Sequence, residues 1–141
     1  MAIKHIPLSL NERAMCGGFT DLYVVGDADM TKNATTSITL ETPAAGDIIH
    51  SAFLDPVTAV AGPATATASL GITGTTDAFV AAASDLKATT PIAAIASATP
   101  QVMDGSKSLL LTTVIANATL TAGETRVFAR ISRRATRSVA A

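Results

Sequence analysis

Residues 64–72 read Ala-Thr-Ala-Thr-Ala-Ser-Leu-Gly-Ile, a nearly strict alternation of apolar and hydroxyl side chains. Successive side chains on an extended strand point to opposite faces, so a period of two predicts a strand with one face in a core and one in water. The same period recurs along the chain. In 36–42, Ile38 and Leu40 share one face while Ser37, Thr39 and Glu41 share the other; in 126–132, Val127, Ala129 and Ile131 lie opposite Arg126 and Arg130. Further strands are expected over 21–25, 47–53 and 107–115. The last contains Leu109-Leu110-Leu111, a run continuous enough to suggest burial on both faces or a subunit contact.

Turn residues separate these runs: Pro43-Ala44-Ala45-Gly46, Ala61-Gly62-Pro63, Gly71-Ile72-Thr73-Gly74 and Asp104-Gly105-Ser106. One short helix is expected over 77–86, capped by Asp77, with Phe79, Ala82 and Ala83 on one face. Thr-rich alternation could also mark a solenoid, but no fixed period of about 20–50 residues repeats. Seven or eight short strands with turns between them therefore predict an all-β fold, a single jelly-roll-like β-sandwich. Residues 1–19 lack periodicity and are expected to form an N-terminal arm, 20–132 the sandwich, and 133–141 a short basic C-terminal tail.

Composition qualifies that expectation. Ala (28) and Thr (21) dominate, Trp is absent, and the aromatics are Phe19, Tyr23, Phe53, Phe79 and Phe128. Each buried CH₂ contributes only about 0.8 kcal/mol, so a core built from Ala would be thin and subunit contacts would be the simplest supplement. Charged residues are only 15% of a chain that is 48% hydrophobic, which argues against disorder. The charges are unevenly placed. Residues 1–125 hold five basic and eleven acidic side chains, a net of −6, whereas 126–141 hold five Arg and no acid, a net of +5. A basic tail on an acidic body can bind a neighbouring acidic surface or nucleic acid. Five Arg without interleaved aromatics or a binding motif make a weak nucleic-acid footprint, so nucleic acid is not the expected partner.

Chemistry needs an acid, base or nucleophile beside a group that tunes it. His5 and His50 are isolated in the sequence, and Cys16, beside Gly17 and Gly18, reads as a small turn residue. The nearest approach to a metal loop is Asp27-Ala28-Asp29, with Gly74-Thr75-Thr76-Asp77 second, and turn-forming Asp explains both. Gly71-Ile72-Thr73-Gly74 lacks the residues of a phosphate-binding loop, and no nucleophile elbow is present. Asn33-Ala34-Thr35 and Asn117-Ala118-Thr119 match the glycosylation pattern by coincidence in a chain without a visible signal segment. No apolar run approaches the ~20 residues of a membrane helix. The expectation is no catalytic residues, no cofactor and no metal, and no membrane association.

The stretch from Asp21-Leu22-Tyr23-Val24-Val25 to Phe128-Ala129-Arg130-Ile131 resembles the small Ala/Thr/Gly-rich β-sandwich proteins of tailed bacteriophages, several of which decorate or cement the capsid exterior. The most suggestive pieces are 68–80, where a strand ends in a Gly/Thr/Asp loop before an apolar segment, and Leu120-Thr121-Ala122-Gly123-Glu124-Thr125 before a final strand. The resemblance implies a virion protein on the outside of the head. It would be a homotrimer that clamps neighbouring major capsid proteins, and no catalytic residues transfer. It places the contacts on the flanks: Ile3, Lys4, Ile6, Leu8 and Leu10 in the arm, and Arg133, Arg134 and Arg137 in the tail. A phage tail or fibre role is the alternative within that class. A carbohydrate-binding sandwich is the alternative outside it, with Tyr23 as the only Tyr available for a sugar platform.

Overall fold

The alternating runs pair into antiparallel ladders throughout. A computed structural model describes residues 3–9, 11–12, 18–30, 34–94, 98–116 and 119–133. It contains nine strands: β1 (Lys4–Pro7), β2 (Asp21–Gly26), β3 (Ala34–Glu41), β4 (Ile48–Ala61), β5 (Thr65–Ile72), β6 (Thr75–Asp85), β7 (Gln101–Val102), β8 (Leu109–Ala116) and β9 (Ala122–Ser132). One sheet has the order β1-β2-β9-β4-β7 and the other β3-β8-β5-β6.

That order has a simple origin. β5 and β6 form a hairpin, and outward from it β4 pairs with β7, β3 with β8 and β2 with β9. The chain is one long antiparallel ribbon, folded back at Thr73-Gly74 and rolled up so that β9 meets β4 and β8 meets β5. A ribbon rolled into two facing sheets is a jelly roll. β1 adds an edge strand beside β2.

The core lies between the sheets. Tyr23, Val25, Ile49, Leu54 and Val127 come from the five-stranded sheet, and Leu70, Phe79, Val80, Leu109, Leu111 and Ile115 from the other; all are buried. Only four Ala (Ala52, Ala66, Ala68 and Ala129) stand among the twenty-four buried apolar residues. The core is therefore Leu/Ile/Val-built rather than the thin Ala core that composition suggests, because most of the described Ala lie elsewhere. Leu110 is only partly exposed between the buried Leu109 and Leu111, so the three-leucine run is covered mainly on its inner face.

Three sequence expectations change. The expected helix over 77–86 is instead strand β6. Between the Ile72–Thr75 and Leu70–Val80 pairs, five-residue advance along β6 matches a two-residue advance along β5. A second irregularity follows between the Leu70–Val80 and Ala68–Ser84 pairs, so the two-residue repeat is broken on both sides of Val80, where the sequence reads as helical. Gly71 makes the first bulge possible: a Cβ there would lie 2.2 Å from the carbonyl oxygen of Thr75. The arm expected over 1–19 contains β1, whose four residues are too few to show a period but pair with Asp21–Val24. β1, β6 and the two-residue β7 join the six runs named from the sequence, so the described residues hold nine strands against the expected seven or eight.

Two substitutions test this packing. Gly71→Ala should lower unfolding free energy by about 1–3 kcal/mol in urea titration, because the bulged β6 backbone has no room to move away. Thr113 is fully buried and its hydroxyl has no hydrogen-bond partner among the described residues. The isosteric Thr113→Val should therefore raise stability, by about 1 kcal/mol.

Candidate functional site

Where β2 begins, the sandwich opens, and side chains from both sheets converge there. Asp21 shares the inward face of β2 with Tyr23 and Val25, so strand geometry carries a carboxylate into the interior; its side chain is only 5% exposed. β1 sets His5 opposite Tyr23, and the two rings stack with centroids 4.5 Å apart and planes 14° apart. His5 Nε2 lies 2.7 Å from Asp21 Oδ1. An ionised carboxylate can only accept, so the imidazole N–H donates.

Glu41 arrives from the opposite sheet. Sequence alternation puts it on the water face with Ser37 and Thr39, but a β-bulge between Thr39 and Glu41 turns it toward the cluster instead. The phenol of Tyr23 donates to Glu41 Oε1. Arg133, the residue after β9, closes the group. Its Nη2 donates to Asp21 Oδ1 at 2.8 Å and to Glu41 Oε1 at 3.0 Å, and its Nη1 donates to Glu41 Oε2. Asp47 Oδ2 lies 3.9 Å from Nη1 and accepts the Ala44 backbone N–H at 3.2 Å. The Thr20 hydroxyl donates to Asp21 Oδ2 and accepts the Ile131 N–H, bracing β2 against β9.

The protonation states follow from these contacts. Burial pushes the Tyr23 phenol up, and its hydrogen bond to Glu41 and the nearby carboxylate charges push it further. Burial also pushes Glu41 up, but hydrogen bonds from Arg133 and Tyr23, with the positive charge of Arg133, outweigh that and hold it below its ordinary value. The bond to Glu41 holds Arg133 above its already high value despite partial burial.

His5, Thr20, Asp21, Glu41 and Arg133 line a cleft of about 600 Å³, with Pro7 and Ile131 completing its walls. His5, Asp21 and Glu41 offer donor atoms within 4.8 Å of one another, of types that bind zinc or manganese. The guanidinium of Arg133 already bridges both carboxylates with its positive charge where a cation would sit, so the donor set fits an arginine. The Thr20 hydroxyl is held between Asp21 and the Ile131 N–H as a brace. What the arrangement does is fasten: it joins β1, β2, β3 and the end of β9.

The flank residues named from the sequence are distributed differently. Arg133 turns inward onto its own chain's carboxylates. Leu8 is buried, and its N–H donates to the Thr20 carbonyl. Ile3 packs partly against the core, Lys4 is exposed and Ile6 is partly exposed. Leu10, Arg134 and Arg137 lie outside the described residues, as do Cys16, Asn33 and Asn117. His50 Nε2 meets the Ser132 hydroxyl at 2.7 Å on the exposed side of the sheet. Asp29 accepts the Gly26 N–H, and Asp104 accepts the N–H groups of Ser106 and Lys107, so each of these carboxylates supports a turn.

The sequence singles out no functional role for Thr20, Asp21, Glu41 or Asp47, which the fold brings into the cluster. Two signals were present. Asp21 has the parity of Tyr23 and Val25, and Arg133 continues the inward series Val127, Ala129, Ile131 by one step.

Arg133→Met should destabilise the fold by about 3 kcal/mol in urea titration, since it leaves Asp21 and Glu41 facing each other without a counter-charge. The pH profile should carry the same signature. Glu41 is held below its ordinary 4.5 in the fold, so its contribution is present above 4.5 and is lost as pH falls through the folded value. The Tyr23 phenol is held above its ordinary 10.0, so above pH 10 the unfolded chain ionises while the fold resists, and stability falls. Glu41→Gln should flatten the acid limb and Tyr23→Phe the alkaline limb of stability measured against pH. No family model matches the chain, and neither a curated protein nor a solved structure matches it.

Proposed function

We propose that this protein is a structural protein of a bacteriophage virion: a decoration or cement protein that binds the outer surface of the head and stabilises contacts between major capsid proteins. The observation that carries the reading is the Arg133 cluster. It is the richest group of acid–base side chains among the described residues, and its contacts are directed at holding strands together rather than at a ligand. It also fixes where the flanks leave the body. β1 begins opposite Val24 while β9 ends beyond Asp21, so the two emerge at opposite ends of the same sheet, roughly 20 Å apart at 3.3 Å per residue. A rigid body with a flank at each end is suited to bridging two neighbours. The resemblance implies that copies associate as a homotrimer.

A tail or fibre role draws on the same features and differs in the particle bound. The sugar-binding alternative loses its platform, because Tyr23 is fully buried and stacked on His5.

The test is co-sedimentation of the full chain with purified heads and, separately, with tails of the phage that encodes it. Saturable pelleting with heads alone is expected. Pelleting with tails alone would transfer the role to the tail, and pelleting with neither would overturn the virion reading. Removing 134–141, which spares Arg133, should weaken head binding about tenfold at low salt and flatten its salt dependence, since the positive charges of Arg134 and Arg137 are lost. An unchanged affinity and salt slope would remove the tail from the interface.

A further inference from the structure

Three of the five aromatic side chains lie outside the core. Tyr23 and Phe79 are buried between the sheets, whereas Phe19, Phe53 and Phe128 are partly exposed on the outer face of the five-stranded sheet. Phe53 and Phe128 stack with centroids 5.1 Å apart, and Phe19 lies edge-on to both at 5.0 and 6.4 Å. The register extends the patch. Ile6 faces Leu22, Leu22 faces Phe128 and Phe128 faces Phe53, which makes one apolar row across β1, β2, β9 and β4.

The two outer faces differ in kind. On the four-stranded sheet the outward rows are mostly hydroxyl-bearing: Ser37, Thr112 and Ser69 in one, Thr35, Val114 and Thr67 in the next. That is the polar outer face an antiparallel sheet normally presents to water. The five-stranded sheet departs from the rule with its largest side chains, and aromatic residues are enriched at the centres of protein interfaces.

The next row across the same face carries charge. Arg126 on β9, whose guanidinium also meets Glu124 on its own strand at 3.3 Å, stands directly opposite Asp55 on β4, at the same height and on the same side of the Phe128–Phe53 pair. Arg130 stands on the other side of Phe128, opposite Ser51. This pattern is complementary to itself. A twofold rotation about an axis parallel to the strands, running between β9 and β4, exchanges those two strands. It lays Phe128 of one copy on Phe53 of the other, Arg126 on Asp55, and Arg130 on Ser51. A twofold axis perpendicular to the strands through the Phe row would instead lay Arg126 over Arg130, a like-charge contact.

We infer that a second copy of this chain docks on the outer face of the five-stranded sheet, sheet to sheet, about the strand-parallel twofold axis. The contact is isologous, so each favourable pair occurs twice: two Phe128–Phe53 stacks at the centre and two Arg126–Asp55 ion pairs beside them. Sheets packed face to face keep their strands nearly aligned, as this axis requires. The inference stands apart from the virion reading, and its twofold symmetry differs from the threefold stoichiometry that the resemblance implies.

Sedimentation velocity of the full chain across the micromolar range tests it. The wild type should run as a pair. Asp55→Arg places two arginines against each other in the contact, and Arg126→Asp places two aspartates there, so each variant alone should dissociate at least about tenfold more readily. An equimolar mixture of the two should regain the pair, because each copy supplies the charge that the other has lost. Mixing changes nothing within either chain, so that rescue separates the contact from any effect on folding. A monomeric wild type, a trimeric mass, variants that pair as well as the wild type, or a mixture that stays monomeric would each overturn the inference.

Discussion

The guanidinium of Arg133, set between the carboxylates of Asp21 and Glu41, is the contact on which the end of the sandwich depends. Two sheets packed through an apolar core need nothing polar between them along most of their length, and here β2, β3 and β9 supply Tyr23, Val25, Ile38, Leu40, Val127 and Ile131. At the open end the alternation carries Asp21 inward, and the bulge in β3 turns Glu41 the same way. Two carboxylates from facing sheets would repel one another and keep the sheets apart. One bidentate cation converts that repulsion into a bridge. Such a bridge adds little net stability over an apolar substitute, because desolvation offsets most of the Coulomb attraction, but losing one partner is costly. Its role is better described as fixing registration: β9 cannot slip by a residue without withdrawing Arg133 from both carboxylates.

That registration reaches β1. A four-residue edge strand has too few ladder bonds to hold its place alone. His5 adds a ring stacked on Tyr23 and a hydrogen bond to Asp21, so the strand is held by the cluster as well as by the sheet. The remaining edge of the same sheet is managed differently. β7 is two residues long, and Ile92 bonds the backbone of Leu54 farther along β4. Short edges of this kind offer little template for strand addition.

Much of the fold is legible in the sequence because a period of two determines both element and face. The strands over 21–25, 36–42, 64–72 and 107–115 are found within a residue or two of their expected bounds, those over 47–53 and 126–132 are parts of the longer β4 and β9, and the turns at Gly46, Gly62, Gly74 and Gly105 all have positive φ. What is not legible is where the period slips. β6 reads as a helix where irregularities on both sides of Val80 break the two-residue repeat. Alternation places Glu41 toward water, and a single extra residue between Thr39 and Glu41 reverses that parity. The cluster itself brings together residues 5, 21, 41, 47 and 133, and only the rolled ribbon makes those positions neighbours. No local spacing encodes that, although the inward parity of Asp21 and Arg133 does.

The outer face of the five-stranded sheet raises the question of what a chain so poor in large side chains gains by placing three Phe there. Packing density in the core does not require it, since Leu, Ile, Val and Met fill that space. Folding stability gains only from the part of each ring covered by its neighbours. A residue type that contributes mainly when covered, gathered in one row and bordered by Arg126 and Asp55 in an order that matches its own reverse, has the physical character of half an interface. The opposite face differs in kind: its hydroxyls bond to one another, as Ser37 and Thr112 do, or to water, and a partner would have to replace the bonds to water one by one. Association through the aromatic face would leave the hydroxyl face open. The molecule would then offer one surface to its own copies and keep a second, chemically distinct one free for a larger assembly.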